Sequence, residues 1–240
     1  YRVQTLERET RVAADLSERA AAEPALQHEP DRPGDESLTG EQWRAVTDLA
    51  LERGFTPFVD VAYQGLGAGL EEDAVGWRWM AERVPEMLIA SSCSKNFGLY
   101  RERTGTLVML AESGQAAMAS KSQALSAARQ SYSMPPSHGA LIAGMILEDV
   151  ALRAAWQSEL EQMRGRIVQM REALVEQLGT DFGFIRQEYG MFSFLGISPE
   201  QLSRLREEYG IYMVDSTRIN LAGLNAGNLA YFVGAMRAVL

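Results

Sequence analysis

Between residues 39 and 130 the chain alternates between stretches patterned for helix and stretches patterned for buried strand. Thr39-Gly40-Glu41-Gln42 is a capping-box pattern, a threonine followed three residues later by a glutamine. Trp43, Val46, Leu49 and Leu51 give the helix behind it an apolar stripe, and Gly54 stands where a left-handed C-terminal cap belongs. Residues 55–61, Phe-Thr-Pro-Phe-Val-Asp-Val, then form a short apolar run entering a glycine-rich turn, which reads as a buried strand. Leu70 to Val84 predicts a second helix with Trp77, Met80 and Ala81 inward. Met87–Ser91 and Thr104–Ala111 predict two more buried strands, and Glu112-Ser113-Gly114 turns the chain into a helix over 115–130. The order helix, strand, helix, strand, turn, strand, helix predicts an α/β fold: a largely parallel sheet with helices on both faces.

The rest of the chain has a different rhythm. Residues 132–139, with Pro135-Pro136 at their centre, are a rigid break. Residues 140–178 are mostly helical, with Leu141, Met145, Ile146, Ile167, Met170, Leu174 and Leu178 at helical spacing and Glu148-Asp149 as a short interruption. Such a stripe reads as core. From Phe182 the pattern shortens to strand, turn and a second strand at Met191–Leu195. Ser198, Pro199 and Gln201 open a helix that Gly210 ends. Ile211–Val214 and Ile219–Leu221 read as paired strands, and 225–240 as an amphipathic helix. A smaller α+β unit follows the first, with the boundary in the long helix near Gly165, so the expected division is 1–37, 38–164 and 165–240. Residues 1–37 are the least legible: 6–22 are rich in Ala, Glu and Arg but poor in apolar positions, and 28–35 form a polar loop with two prolines. A structured arm and a disordered leader both stay open there.

Net charge −9 and a pI near 4.9 argue against nucleic acid or an anionic membrane surface as the main partner. One cysteine makes no internal disulfide, and with two histidines it is a poor metal set, so no metal is expected. No signal-peptide pattern and no apolar run of membrane-spanning length is seen, which makes the cytoplasm the expected location.

The chemistry concentrates after the strand at Met87–Ser91. Lys95 sits alone in a run of small and hydroxyl residues, Ser91-Ser92-Cys93-Ser94-Lys95-Asn96. Burial and neighbouring positive charge lower a lysine's pKa, and that turns an amine into a nucleophile toward a carbonyl. Arg103, eight residues on, is placed to supply such charge and to hold an anion. By residue type alone, a surface-turn lysine and a reactive amine both stay open. Asp60 interrupts an apolar run; it reads either as a carboxylate that needs a partner or as a strand-end cap.

The string SSCSKNFGLYRERTG, residues 91–105, resembles the cofactor-lysine segment of the aspartate/aromatic aminotransferases, the class I, fold type I pyridoxal-phosphate enzymes. PFVDVAYQG, YSMPPSHGA, GMFSF and STRINLAG resemble further blocks of that family in its order, so the likeness runs from about Leu38 to Leu240. The resemblance implies pyridoxal 5'-phosphate as cofactor, held by Asp60 at the pyridine nitrogen, Tyr63 at the phenolic oxygen, and Ser92 and Arg103 at the phosphate. It implies Lys95 as the Schiff-base lysine that later shuttles a proton, and Arg218 as the grip on the substrate's α-carboxylate. Arg129 falls on the arginine that binds a distal carboxylate across a dimer interface, which implies a homodimer. The implied reaction is amino-group exchange between aspartate or an aromatic amino acid and a 2-oxo acid, 2-oxoglutarate.

The chain departs from the family before Leu38. The phosphate-binding glycine turn, the residue stacked on the cofactor ring and a tyrosine lent by the neighbouring subunit have no counterparts here. His28-Glu29-Pro30 stands where the family has an asparagine that donates to the phenolic oxygen, and an ionised Glu29 cannot donate. Met134 replaces an asparagine common in aspartate-specific members. These departures imply an alternative: a truncated, catalytically impaired remnant with weak or no cofactor binding.

Overall fold

The structure is a computed structural model, and it describes residues 38–240. The expectations for 1–37 lie outside the described residues. Two compact units emerge: residues 38–173 with Tyr189–Met191, and Leu174–Glu188 with Phe192–Leu240. The division between these units falls inside one long helix, at 173/174.

The first unit opens with helix α1, Gly40–Arg53. Its capping box is complete: Thr39 Oγ1 accepts from the Gln42 amide at 3.2 Å, and Gln42 Oε1 accepts from the Thr39 amide at 2.8 Å. Gly54 closes it at φ 65°, a conformation in which a side chain would be strained. Strand β1, Phe58–Val61, pairs in parallel with β2, Met87–Ser92, across a connection that holds a short 3₁₀ turn, Glu72–Ala74, and helix α2, Val75–Ala81. β2 then pairs antiparallel with β3, Gly105–Leu110, because the twelve residues between them form a turn and not a helical crossover. The sheet order is β1-β2-β3, one parallel and one antiparallel pair.

Alternation along the strands assigns the two faces. Val61, Met87 and Ile89 enter a cluster with Ala50, Met80 and Val84, backed by Trp43, Val46, Phe55, Val59, Trp77 and Leu110. Met80 and Met87 are fully buried, each contributing about 1.5–3 kcal/mol of transfer free energy. α1 and α2 approach so closely that a Cβ on Gly76 would run into the Trp43 ring. The opposite face carries Phe58, Asp60, Leu88, Ala90, Ser92, Leu107 and Met109 by register.

Three helices complete the unit's chain: α3, Gly114–Tyr132; α4, His138–Glu148; and α5, Val150–Leu178, which continues into the second unit. The interruption between α4 and α5 is Asp149, at φ −86° and ψ 125°. Two expectations need correction here. β3 is not buried: Leu107 and Val108 are exposed, and α3 buries no residue. An apolar run is buried only where other chain covers it, and β3 is an edge strand whose Leu107 and Val108, on opposite faces by register, are both left uncovered by the described residues. For the same reason Leu141 and Met145 are exposed, although Ile167 and Leu174 of the same predicted stripe are buried.

The second unit is smaller. A two-stranded antiparallel sheet joins β4, Phe192–Phe194, to β5, Arg218–Asn220. Helix α6, Pro199–Tyr209, has the Ser198/Gln201 capping box and ends at Gly210 in the left-handed region. Helix α7, Leu229–Val239, buries Leu229, Phe232, Val233, Ala235, Met236 and Val239. The strand expected from Phe182 is instead a 3₁₀ segment, Thr180–Gln187, which buries Phe182 and Ile185. Ile211–Val214 is not a strand either; β5 takes β4 as its partner. Short apolar runs fit several local structures, and pairing geometry decides among them.

Candidate active site

Parallel pairing of β1 and β2 brings their carboxyl ends side by side, with Val61 opposite Ser91. In α/β sheets that edge is where ligands bind. Tyr63 lies two residues beyond β1 and Lys95 three beyond β2. The Lys95 ammonium sits 4.3 Å from the Tyr63 ring centroid, over its face, and both residues are half-buried. An ammonium over an aromatic face is attracted to the ring's negative quadrupole, so the two side chains hold each other at the strand ends.

The turn that presents Lys95 is tied at several points. Cys93 N donates to Thr104 O at 3.0 Å, Gly98 N to Lys95 O at 3.2 Å, and Leu99 N to Cys93 O at 3.2 Å. Ser92 Oγ accepts from the Ser94 amide at 3.1 Å and donates to Ser94 Oγ at 3.0 Å. Burial pushes the Cys93 thiol up from its ordinary value, so at neutral pH it stays a protonated thiol and no nucleophile.

Asp60 is on the β1–β2 face that carries Ala90 and Ser92, and it is exposed, so water solvates the carboxylate. Arg103 ends the turn before β3, near Ser92, since Ser92 pairs with Gly105. Its φ is 53°, its side chain is exposed, and its guanidinium donates to Tyr100 O at 3.0 Å. The structure thus gathers Lys95 and Tyr63 in contact, with Asp60, Ser92 and Arg103 around the same end of the sheet. Arg129 stands in the last turn of α3, exposed.

Arg218 belongs to the second unit, where it opens β5 with its guanidinium 4.4 Å from the Phe192 ring centroid. It lines a concavity of about 480 Å³ together with Tyr212, Asn220, Asn228 and Phe232. The residue before it, Thr217, is buried at φ 60°, in the left-handed region that β-branched residues avoid. Its Oγ1 accepts from Gly196 N at 3.1 Å, its carbonyl accepts from Leu195 N at 3.2 Å, and its amide donates to Val214 O at 2.9 Å. Backbone strain of this kind costs on the order of 1–3 kcal/mol and persists only where the surroundings enforce it. Here it fixes the start of β5 beside the concavity.

Sequence reading missed two residues. Asp73 accepts from four backbone amides of the glycine-rich loop, Gly65, Gly67, Ala68 and Gly69, and so shapes the segment directly after Tyr63. Trp156, on α5, stacks on Phe97 with centroids 4.4 Å apart and planes 12° from parallel, and its indole donates to Asn96 O at 2.7 Å. The spacing of glycines ahead of Asp73 was the available signal for the first; the second stands four residues before Leu160 on the buried stripe of α5, which marks its face and not its partners.

The donor set fits a pyridoxal group in part. An amine and a phenol at one strand edge, with a carboxylate, a serine hydroxyl and a guanidinium nearby, match its aldehyde, phenolic oxygen, ring nitrogen and phosphate.

Comparison with known proteins places the chain in a family. Residues 32–236 match the family described as aminotransferase class I and II, and the chain belongs to that family. It is 47% identical over 215 residues to an aromatic-amino-acid aminotransferase of Paracoccus denitrificans, covering 85% of this chain and 53% of that one. It is 46% identical over 207 residues to an aspartate aminotransferase of Escherichia coli, covering 84% and 52%. A solved aromatic-amino-acid aminotransferase from Burkholderia pseudomallei, covalently bound to pyridoxal phosphate, superposes with a TM-score of 0.83 at 42% identity, over 87% of this chain and 53% of that one. The chain spans about half the length of the relatives it matches. Among the described residues, no helix is long and apolar enough to cross a membrane.

Proposed function

We propose that this chain carries the lysine-bearing part of a pyridoxal-phosphate-dependent transaminase that exchanges the amino group of aspartate or an aromatic amino acid with 2-oxoglutarate. The observation that supports this most is the Lys95 ammonium set over Tyr63 at the carboxyl ends of two parallel strands. When bound, pyridoxal phosphate supplies the electron sink for the charge left at the substrate's α-carbon. In this reading Asp60 holds the ring nitrogen protonated, and Tyr63 donates to the phenolic oxygen. Ser92 and Arg103 bind the phosphate, the arginine through its bidentate fork. Lys95 would hold the cofactor at its aldehyde group, and its amine would move a proton at the substrate's α-carbon. Arg218 binds the α-carboxylate, and Arg129 of a second copy reads a distal carboxylate, so the working state is a homodimer. Residues 38–164 form part of the cofactor domain and 165–240 the smaller domain. A single cysteine suits a cytoplasmic location.

The test is a titration of the 240-residue chain with pyridoxal phosphate. A visible absorption band that borohydride abolishes, and that Lys95→Ala lacks, is the expected result. A band of equal strength in Lys95→Ala, or none in the wild type, overturns the assignment.

A second reading is favoured by the exposure of Asp60, Arg103 and Arg129. Catalysis needs a water-excluded, preorganised site, and each missing electrostatic donor typically costs ~10²–10³ in rate. On this reading the chain alone binds the cofactor weakly and turns over slowly. Turnover by the isolated chain at the rate of a whole relative would remove it.

A further inference from the structure

We infer that Trp156 and Asn96 form a clamp that sets the position of the Lys95 amine, with Trp156 acting through the backbone of the turn. The inference rests on the reading of Lys95 as the reactive amine, and it adds residues that the family blocks around Lys95 and Tyr63 do not single out.

Asn96 follows Lys95 in the chain and is buried. Its carbonyl accepts from the Trp156 indole at 2.7 Å, and its side-chain amide donates to Gln64 O at 3.2 Å. Gln64 in turn follows Tyr63, and its own side chain donates to Leu70 O at 2.8 Å. The Asn96–Gln64 bond therefore joins the immediate neighbours of the two residues whose side chains meet, Lys95 and Tyr63. Rotating the turn by one peptide would break that bond and carry the amine off the ring. Phe97 adds the second hold, its ring flat against the Trp156 indole. Stacked aromatic pairs of this kind are stabilising beyond the area they bury.

The turn's other hydrogen bonds, among Ser92, Cys93, Ser94, Lys95, Gly98, Leu99 and Thr104, close it on itself and on the start of β3, and do not reach α5 or the Tyr63 loop. Gly98 is at φ 69°, a conformation glycine adopts without penalty, and the segment has no regular secondary structure from Cys93 to Thr104. The bonds from Asn96 to Trp156 and to Gln64 are the ones that tie this turn to α5 and to the Tyr63 loop. Asn96 Oδ1 is buried and without a hydrogen-bond partner among the described residues. An orphaned buried acceptor is costly, and the side-chain amide's bond to Gln64 O is the interaction here that needs an asparagine, since the carbonyl that meets Trp156 belongs to the main chain.

The chain has two lysines, Lys95 and Lys121, and Lys121 is exposed on α3, which supplies an internal reference for an experiment. The full chain is incubated with pyridoxal phosphate, trapped with borohydride, and the modified peptides are quantified across pH for wild type, Trp156→Phe and Trp156→Leu. Deuterium uptake of residues 93–99 is followed in the same proteins without the reagent. Trp156→Phe keeps the stack and removes the indole N–H. We expect the Lys95:Lys121 ratio to fall about fivefold, the factor that one net hydrogen bond typically carries. Trp156→Leu should lower it further, and in both variants the extra exchange should be confined to 93–99. An unchanged ratio and unchanged uptake in folded Trp156→Phe overturn the clamp. So does faster exchange throughout residues 38–173, which would make Trp156 an ordinary packing residue. If wild type itself shows no preference for Lys95, the pyridoxal reading fails, and the deuterium uptake alone then decides the clamp. Should Trp156→Leu fail to fold, Trp156→Phe alone decides between the two outcomes.

Discussion

Replacing Asp73 with alanine should cost the first unit about 3 kcal/mol, a large effect for a half-exposed residue. The carboxylate accepts from Gly65 N at 2.8 Å and Gly67 N at 3.0 Å through one oxygen, and from Ala68 N at 2.7 Å and Gly69 N at 3.4 Å through the other. Hydrogen bonds to a charged group are worth roughly 1.5–3 kcal/mol each, and a stranded buried donor costs about 1–3 kcal/mol. These terms do not add. Ala68 is exposed and Gly67 half-exposed, so water recovers most of their loss, and the 3.4 Å bond is weak. Gly65 is buried, and a Cβ there would lie 2.5 Å from Leu160, so its backbone is pressed where water has little access. One full loss at Gly65 plus fractions of the others gives about 3 kcal/mol, within roughly 2–5. Asp73→Asn keeps one acceptor oxygen and should lose about half as much. At roughly 2–4 °C per kcal/mol for a domain of this size, the melting transition of Asp73→Ala drops by about 6–12 °C. Circular dichroism on heating, checked by urea unfolding, measures it. A loss below about 1 kcal/mol for Asp73→Ala would show that the loop holds its shape without the carboxylate.

Gly76→Ala places a methyl within the Trp43 ring contact and should destabilise by about 1–3 kcal/mol, read from urea midpoints; a neutral result would mean that α1 and α2 separate at no cost. Cys93 should react with a disulfide reagent only slowly at pH 8, with a rate midpoint above the usual thiol value, because burial favours the protonated form and the thiolate is the reacting species; a midpoint at or below that value would contradict its placement. If Arg129 of a second copy reads a distal carboxylate as proposed, Arg129→Leu should weaken turnover of a dicarboxylic amino acid much more than that of phenylalanine; equal losses would show that Arg129 does not read the substrate.

The parts of the fold legible in the sequence were those written within four residues of one another. Thr39 with Gln42 and Ser198 with Gln201 each satisfy a helix's first amides through a partner three residues away, so pattern and structure coincide. Gly54 and Gly210 end their helices by conformations that belong to single residues. The fate of Thr104–Ala111 was not written locally. Its apolar side chains state a preference for burial, and whether a covering layer exists is decided by distant chain. Phe182 and Ile211–Val214 failed for a related reason: four or five apolar residues suit a strand, a 3₁₀ turn or an extended loop equally, and the partner strand is what selects.

The site divides along the same line. That Tyr63 and Lys95 should meet follows from two readings that the sequence allowed, a strand ending before each and a parallel pairing between those strands. Neighbouring parallel strands place their carboxyl ends within reach whatever lies in the connection, so the long stretch of chain between the two residues does not obscure the contact. Trp156 has no such rule behind it. It is sixty residues from Asn96, and although its spacing of four from Leu160 puts it on the buried stripe of α5, that spacing says nothing of what it touches. Its two interactions use a backbone carbonyl and a ring face, neither of which leaves a mark on residue type at the receiving end. A residue that positions a reactive group through the main chain is thus invisible to motif reading and plain in geometry. The clamp on Lys95 shows only in where the polar atoms of its neighbour Asn96 go: the carbonyl to an indole on α5, the side-chain amide to the residue after Tyr63.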